Sequence, residues 1–166
     1  MMTSDDISVR VRTLATLLGR RGQRLATAES CTGGLVAGAI TALPGSSTWY
    51  ERGWVTYSNA AKIEELGVDA HLLATHGAVS EVIAAAMASG ARTAAQVDFA
   101  LSITGIAGPD GGTPEKPVGM VCFGWATPTH TRTETWHFSG NRQRIREEAV
   151  AHALAGLIAL LMNDAV

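Results

Sequence analysis

The chain has 166 residues, of which 46% are hydrophobic, enough for a single domain over residues 1–166 that buries a two- or three-layer core without staples. A formal net charge of −2 provides no basic footprint of the kind that neutralises a phosphate backbone, so nucleic acid is excluded as the first expectation and a small ligand is the default partner. Residues 1–12 contain no apolar signal region, and the longest apolar stretch, near residues 157–162, is too short to span a bilayer; no membrane contact and a cytoplasmic location are expected.

Ile7, Val11, Leu14 and Leu18 recur at helical spacing after the acidic pair Asp5 and Asp6, and Gly22 supplies a stop, so the chain opens with an amphipathic helix. A short strand over 24–29 runs directly into Ser30-Cys31-Thr32-Gly33-Gly34, and residues 35–43 read as a helix ended by Pro44-Gly45. The next strand, 51–57, leads through Ser58-Asn59 into a short helix over 60–66 that Gly67 closes. Ser80 caps a long Ala-rich helix. Residues 97–103 form a buried-looking strand that empties into a glycine-rich loop, Thr104-Gly105-Ile106-Ala107-Gly108-Pro109-Asp110-Gly111-Gly112, a candidate ligand site. Residues 118–126 and 132–138 suggest a hairpin around Thr127-Pro128-Thr129, and a last helix runs over 141–162. Strands alternating with helices, plus one terminal hairpin, argue for an α/β fold. The expected form is a three-layer α/β/α sandwich on a mixed, mostly parallel sheet of about five strands.

The two cysteines, Cys31 and Cys122, form no CxxC, and the histidines His71, His76, His130, His137 and His152 form no HExxH; neither a metal nor a disulfide framework is expected. Chemistry is better sought at Ser30. It sits where a strand ends and a helix is about to begin, beside backbone N–H groups that can stabilise an oxyanion after attack on a carboxamide. Taken alone, a serine before Gly-Gly is more often a helix cap. Lys62 adds weight, because the thirteen cationic side chains include only two lysines, Lys62 and Lys116, and lysine alone among strong cations can lose its proton near neutral pH. Its place in the first turn of a helix should lower its pKa through the helix dipole; a solvent-facing lysine is the alternative. Ser58, four residues before Lys62, is a rival nucleophile or, as favoured here, an N-cap. Cys31 is another rival, since a helix N-terminus lowers a thiol pKa, although small buried cysteines are commonly inert. No GxxxxGK[ST], GxGxxG or GxSxG pattern is present, which argues against triphosphate, dinucleotide and α/β-hydrolase chemistry.

Four segments, TAESCTGG at 27–34, GWVTYSNAAKIEELGV at 53–68, HGAVSE at 76–81 and TGIAGPDGGTPEKPVG at 104–119, together closely resemble the C-terminal domain of the CinA family, the nicotinamide mononucleotide deamidases of PncC type. The resemblance spans about residues 14–160. It implies an amidohydrolase that converts nicotinamide mononucleotide and water to nicotinic acid mononucleotide and ammonia in pyridine-nucleotide recycling, with no metal or other cofactor and as a homo-oligomer. It places the nucleophile on Ser30 and the base on Lys62, with Tyr57 and Thr104 as hydrogen-bonding partners. Cys31, Thr32, Gly33 and Gly34 are then expected around the oxyanion. Gly105, Ile106, Ala107, Gly108 and Arg142 are expected at the phosphate. Asn141, before Arg142, stands where the family pattern has Asp. The alternatives are a nucleotide-binding regulatory module of CinA type that turns nothing over, and a scaffold whose glycine loop contacts a partner; intact Ser30 and Lys62 argue against the module.

Overall fold

The computed structural model describes residues 4–163; the ends of the expected 1–166 domain lie outside them. Helix α1 (Ser4–Arg21) presents Val11, Leu14 and Leu18 to the interior, and its acidic first turn and basic last turn complement the helix dipole. Strand β1 (Leu25–Glu29) is buried along its whole length. After it come helix α2 (Leu35–Thr41), a 3₁₀ turn at Ser46–Thr48 and strand β2 (Tyr50–Val55). Helix α3 (Asn59–Leu66) begins at the Ser58 cap, whose hydroxyl accepts from the Ala61 N–H, and ends on Gly67 in the left-handed region. Ser58 is therefore the cap that its position suggested.

Between Gly67 and Ser80, where no element was expected, Asp69 caps helix α4 (Ala70–His76) by accepting from the His71 and Leu72 N–H groups. Its seven residues are too few for apolar periodicity to stand out. Ser80 caps helix α5 (Glu81–Ala95) as expected. Strand β3 (Phe99–Gly105), strand β4 (Met120–Ala126), strand β5 (Thr131–His137) and helix α6 (Arg142–Asn163) complete the chain.

The five strands form one sheet in the order β2-β1-β3-β4-β5. Strands β2, β1 and β3 are parallel, and β4 pairs antiparallel with both β3 and β5. The sheet is thus mixed, with β4 alone running against the others. Alternation along the strands sorts side chains to two cores. Leu25, Phe99, Leu101, Ile103, Val121, Phe123 and Trp125 pack with α1, α2 and α6 on one face. Ala26, Ala28, Ala100 and Ala126 pack with Ile83, Met87, Ala88 and Ala91 of α5 on the other. The α/β/α layering follows from this division.

Strand β3 ends later than the hydrophobic run suggested. Thr104 and Gly105 pair with Cys122 and Val121 of β4, so they are strand residues and the glycine-rich loop begins at Ile106. Hydropathy marks the apolar run, but ladder pairing with β4 decides where the strand stops.

The Ala-rich face lets α5 lie close to the sheet. At Gly124 an added Cβ would stand 2.4 Å from the Ala84 carbonyl oxygen and 2.6 Å from Ser102 Oγ, which itself donates to that carbonyl. Gly19, inside α1, has nothing within 4 Å of its Cβ position. Gly124→Ala is therefore expected to lower stability by about 1–3 kcal/mol through overpacking, whereas Gly19→Ala should raise it by about 0.5–1 kcal/mol through helix propensity. Urea unfolding of the two variants checks both signs; equal stabilities would contradict the close α5–sheet approach.

Candidate active site

From β1 the chain passes to β2 on one side and returns to β3 on the other, so a crevice opens at the carboxyl ends of β1 and β3, where open α/β sheets bind ligands. Ser30 directly follows β1, Thr56 and Tyr57 follow β2, and Thr104 lies near the end of β3. Lys62 reaches the same point from α3, where it shares the inward helix face with Leu66, one turn away. A cavity of about 200 Å³ lies here. Of the residues expected in the site, it is lined by Ser30, Cys31, Tyr57, Lys62, Thr104, Gly105, Ala107 and Arg142; Asn59, Ala78 and Val79 also line it.

Lys62 is 1% exposed. Its Nζ donates to the Thr56 carbonyl at 2.8 Å, to Ser30 Oγ at 3.0 Å and to the Tyr57 carbonyl at 3.3 Å. No ion pair to Lys62 occurs among the described residues. Burial, with no carboxylate to offset it, pushes the Lys62 pKa below the ordinary lysine range; the neighbouring Cys31 acts weakly in the opposite sense. The direction matches the expectation, and its largest cause is desolvation.

Cys31 behaves opposite to a helix-activated thiol. It is 6% exposed, and burial pushes its pKa up to about 12 against the smaller opposing effects of its own backbone N–H, Arg146 and Lys62. At neutral pH it is a protonated thiol, which is a poor nucleophile.

The turn after β1 is fixed by a residue that the motif reading passed over. Glu29, 1% exposed, accepts from Thr32 Oγ1 and the Val36 N–H through Oε1, and from the Ala37 N–H through Oε2. Its carboxylate occupies the start of α2, so this helix terminus is already capped from inside the protein. The signal was an acid closing a fully buried strand, a position that demands several donors. Thr32, fully buried, serves Glu29 and does not line the cavity. The Gly33 N–H is taken by the Ser30 carbonyl and the Leu35 N–H by the Thr32 carbonyl. The Cys31, Thr32 and Gly34 N–H groups have no protein acceptor among the described residues.

On the opposite wall, Thr104 Oγ1 donates to the Ala78 carbonyl at 2.9 Å. Arg142 Nη1 donates to the Gly108 carbonyl at 2.9 Å, and Nη2 to the hydroxyl of Tyr57 at 3.3 Å. The Ile106 N–H is committed to the Met120 carbonyl, and neither Ile106 nor Gly108 lines the cavity. Asn141 caps α6 by accepting from the Arg144 N–H. A larger cleft, about 280 Å³, lies between α1, α2 and α6, but Glu147 is the one ionisable group on its lining and no nucleophile–base pair faces it. No helix among the described residues is long and apolar enough to cross a membrane.

The model of the CinA C-terminal domain matches residues 8–161. The chain is 51% identical over 160 residues to the nicotinamide-nucleotide amidohydrolase PncC of Shigella flexneri, covering 94% of this chain and 95% of that protein. It is also 51% identical over 147 residues to a CinA-like protein of Syntrophobacter fumaroxidans, but spans only 35% of that longer relative. Among solved structures, the competence/damage inducible protein CihA from Agrobacterium tumefaciens superposes with a TM-score of 0.91 at 44% identity, covering 93% of this chain and 95% of that one.

The raised Cys31 pKa and the burial of both free cysteines predict that iodoacetamide at pH 8 modifies the folded protein far more slowly than the urea-unfolded chain, by about 100-fold or more, because alkylation follows the thiolate fraction and access. Mass spectrometry of quenched time points measures this. Comparable rates in the two states would restore Cys31 as a rival nucleophile.

Proposed function

Because the chain belongs to the CinA C-terminal domain family, we propose that it hydrolyses the carboxamide of nicotinamide mononucleotide, with Ser30 as nucleophile and Lys62 as base. The names of relatives that match it nearly end to end support the substrate. The observation that carries the mechanism is the 3.0 Å contact between Lys62 Nζ and Ser30 Oγ. As an ammonium, Nζ donates to all three of its partners. Once neutral, it keeps two hydrogens for the carbonyls of Thr56 and Tyr57, and its lone pair is left to accept from the Ser30 hydroxyl. The two carbonyls thus orient the base, and burial makes its neutral form accessible.

Ser30 Oγ attacks the carboxamide carbon as its proton passes to Lys62 Nζ, and the carbonyl π pair becomes an oxyanion. The N–H of Cys31, a residue on the cavity lining whose N–H is taken by no carbonyl or carboxylate, is the donor available to it. Collapse of the tetrahedral species breaks the C–N bond, and the Lys62 ammonium returns its proton to the departing nitrogen, releasing ammonia. Water then attacks the ester, giving a proton to Lys62; the C–Oγ bond breaks and Oγ takes that proton back, leaving a carboxylic acid that ionises by passing its remaining proton to solvent. The Thr104 hydroxyl proton is held by Ala78, so its oxygen is free to accept from the carboxamide NH₂ and orient it. Arg142, with unused N–H donors beside Tyr57 and the glycine-rich loop, suits the substrate phosphate, joined by the Ala107 N–H.

Incubation of the purified protein with nicotinamide mononucleotide should release ammonia. Ser30→Ala is expected to lower kcat on the order of 10⁴-fold or more, with a thermal shift on adding the nucleotide retained. Absence of ammonia despite such a shift would favour a binding module instead.

Lys62→Arg separates a base from a charge. Arginine stays protonated at any working pH, so this variant should be nearly as inactive as Lys62→Met. In the wild type, kcat/KM should rise with pH through the Lys62 pKa, which lies below the usual lysine range; deprotonation creates the active form, so the limb is ascending. An Arg variant with substantial activity and the same ascending limb would remove Lys62 from the role.

Arg142→Ala should raise KM about 10-fold or more, as expected for loss of a charge-assisted phosphate contact. An unchanged KM would release Arg142 from the phosphate.

A further inference from the structure

Asn59, the first residue of α3, lines the cavity, and the amide hydrolysis described above makes no use of it. Ser58 beside it caps the helix through its own hydroxyl. The Asn59 side-chain amide takes no part in that cap and has no hydrogen-bond partner among the described residues. Other polar side chains on the lining are committed: Lys62 to Ser30, Thr104 to the Ala78 carbonyl, and Arg142 to the Gly108 carbonyl and Tyr57. Asn59 alone brings to this lining both an unused carbonyl oxygen and an unused NH₂.

The helix sets the depth of this amide. Asn59, Lys62 and Leu66 are spaced three and four residues apart, so they share one face of α3. Burial orders them along that face: Leu66 and Lys62 are buried, whereas Asn59 is exposed. Asn59 therefore stands at the cavity mouth, nearly one turn outward from Lys62 and displaced from it by about 4.5 Å along the helix axis. Tyr57, two residues earlier, lines the cavity as well and is bonded to Arg142. The chain thus passes from the Arg142 contact, by way of Asn59, to the buried amine.

The geometry points to Asn59 as the residue that selects a ribonucleotide by binding the 2′-hydroxyl of the substrate ribose, an inference that rests on the proposed hydrolysis of nicotinamide mononucleotide. With the carboxamide carbon at Ser30 and the phosphate at Arg142, the ribose lies between them. It is joined to the ring nitrogen, two ring bonds from the carbon that carries the carboxamide, so it begins roughly 5 Å from the reacting carbon, close to the rise of one helical turn. That is the step from Lys62 outward to Asn59. The 2′-hydroxyl is carried next to the glycosidic carbon and is the sugar hydroxyl closest to the ring. An amide can both donate to a hydroxyl and accept from it. It is also uncharged, whereas a carboxylate at this position would favour the Lys62 ammonium and oppose the neutral base.

The test measures ammonia release by wild type and Asn59→Ala from nicotinamide mononucleotide and from its 2′-deoxy analogue. The wild type should favour the ribonucleotide by about 10-fold in kcat/KM, as for one neutral hydrogen bond whose loss leaves a polar group unpaired. In Asn59→Ala that preference should fall to about 2-fold or less, with most of the change in KM, as for a contact made equally in ground and transition states. Because the amide bonds to nothing else in the protein, the melting temperature should hold within about 2 °C. A structural role, or a contact to the phosphate instead of the sugar, would lower kcat/KM equally on both nucleotides and leave the preference intact; that result overturns the assignment. A wild type indifferent to the 2′-hydroxyl overturns it as well. If the wild type releases no ammonia from either nucleotide, the amidase proposal falls and this inference falls with it.

Discussion

A lysine amine buried to 1% exposure without a counter-ion constrains the whole active site. Removing an ammonium from water costs several kcal/mol even after relaxation, so the site must either pair the charge or let the proton go. Here Nζ meets two backbone carbonyls and a hydroxyl, partners that satisfy its hydrogens without fixing its charge. That is the environment in which a lysine can exchange a proton. It also requires the ends of β1 and β2 and the inner face of α3 to meet within one hydrogen-bond length, so small errors in sheet register or helix placement would separate the pair.

The sheet order supplies that meeting point. Because the connections leave β1 toward β2 and return to β3 on the other side, three parallel strands deliver their carboxyl ends to one crevice. Ser30, the carbonyls that hold Lys62 Nζ and the Thr104 hydroxyl each follow from one strand. The close-packed, Ala-rich face beneath α5 has a complementary part, since Thr104 is tied to Ala78 in the segment leading into that helix. The end of β3 and the entry to α5 are therefore coupled through a short contact.

Charges around the turn after β1 hold different groups. Glu29 holds the start of α2 from within, where its carboxylate complements the helix N-terminus. Arg146 holds the carbonyl side of the same turn, and Arg142 holds Gly108 and Tyr57 across the cavity. Acid and base at this end of the molecule thus order the backbone around the Ser30–Lys62 pair without entering an ion pair with the lysine.

The sequence by itself determined the α/β/α class, because apolar periods of 3.6 and 2 are local properties, and most elements fall within two residues of where their caps and glycines place them. Ser58, Ser80 and Gly67 act as their chemistry dictates. Ser30 and Lys62 were legible as reactive types, one at a strand-to-helix turn and the other as a rare lysine among arginines. Their 3.0 Å contact was not legible, since it joins residues 32 apart and depends on the order in which β1 and β2 pair. The same holds for Cys31: helix position suggested an activated thiol, whereas burial beneath neighbouring layers pushes its pKa up to about 12. Thr104 and Gly105 became strand residues through pairing with β4, and Glu29 and Arg146 gained their roles only once β1, α2 and α6 had been brought together. Local pattern sets what each segment prefers, while desolvation and contacts between distant segments exist only after the chain has closed, and those decide which groups can react.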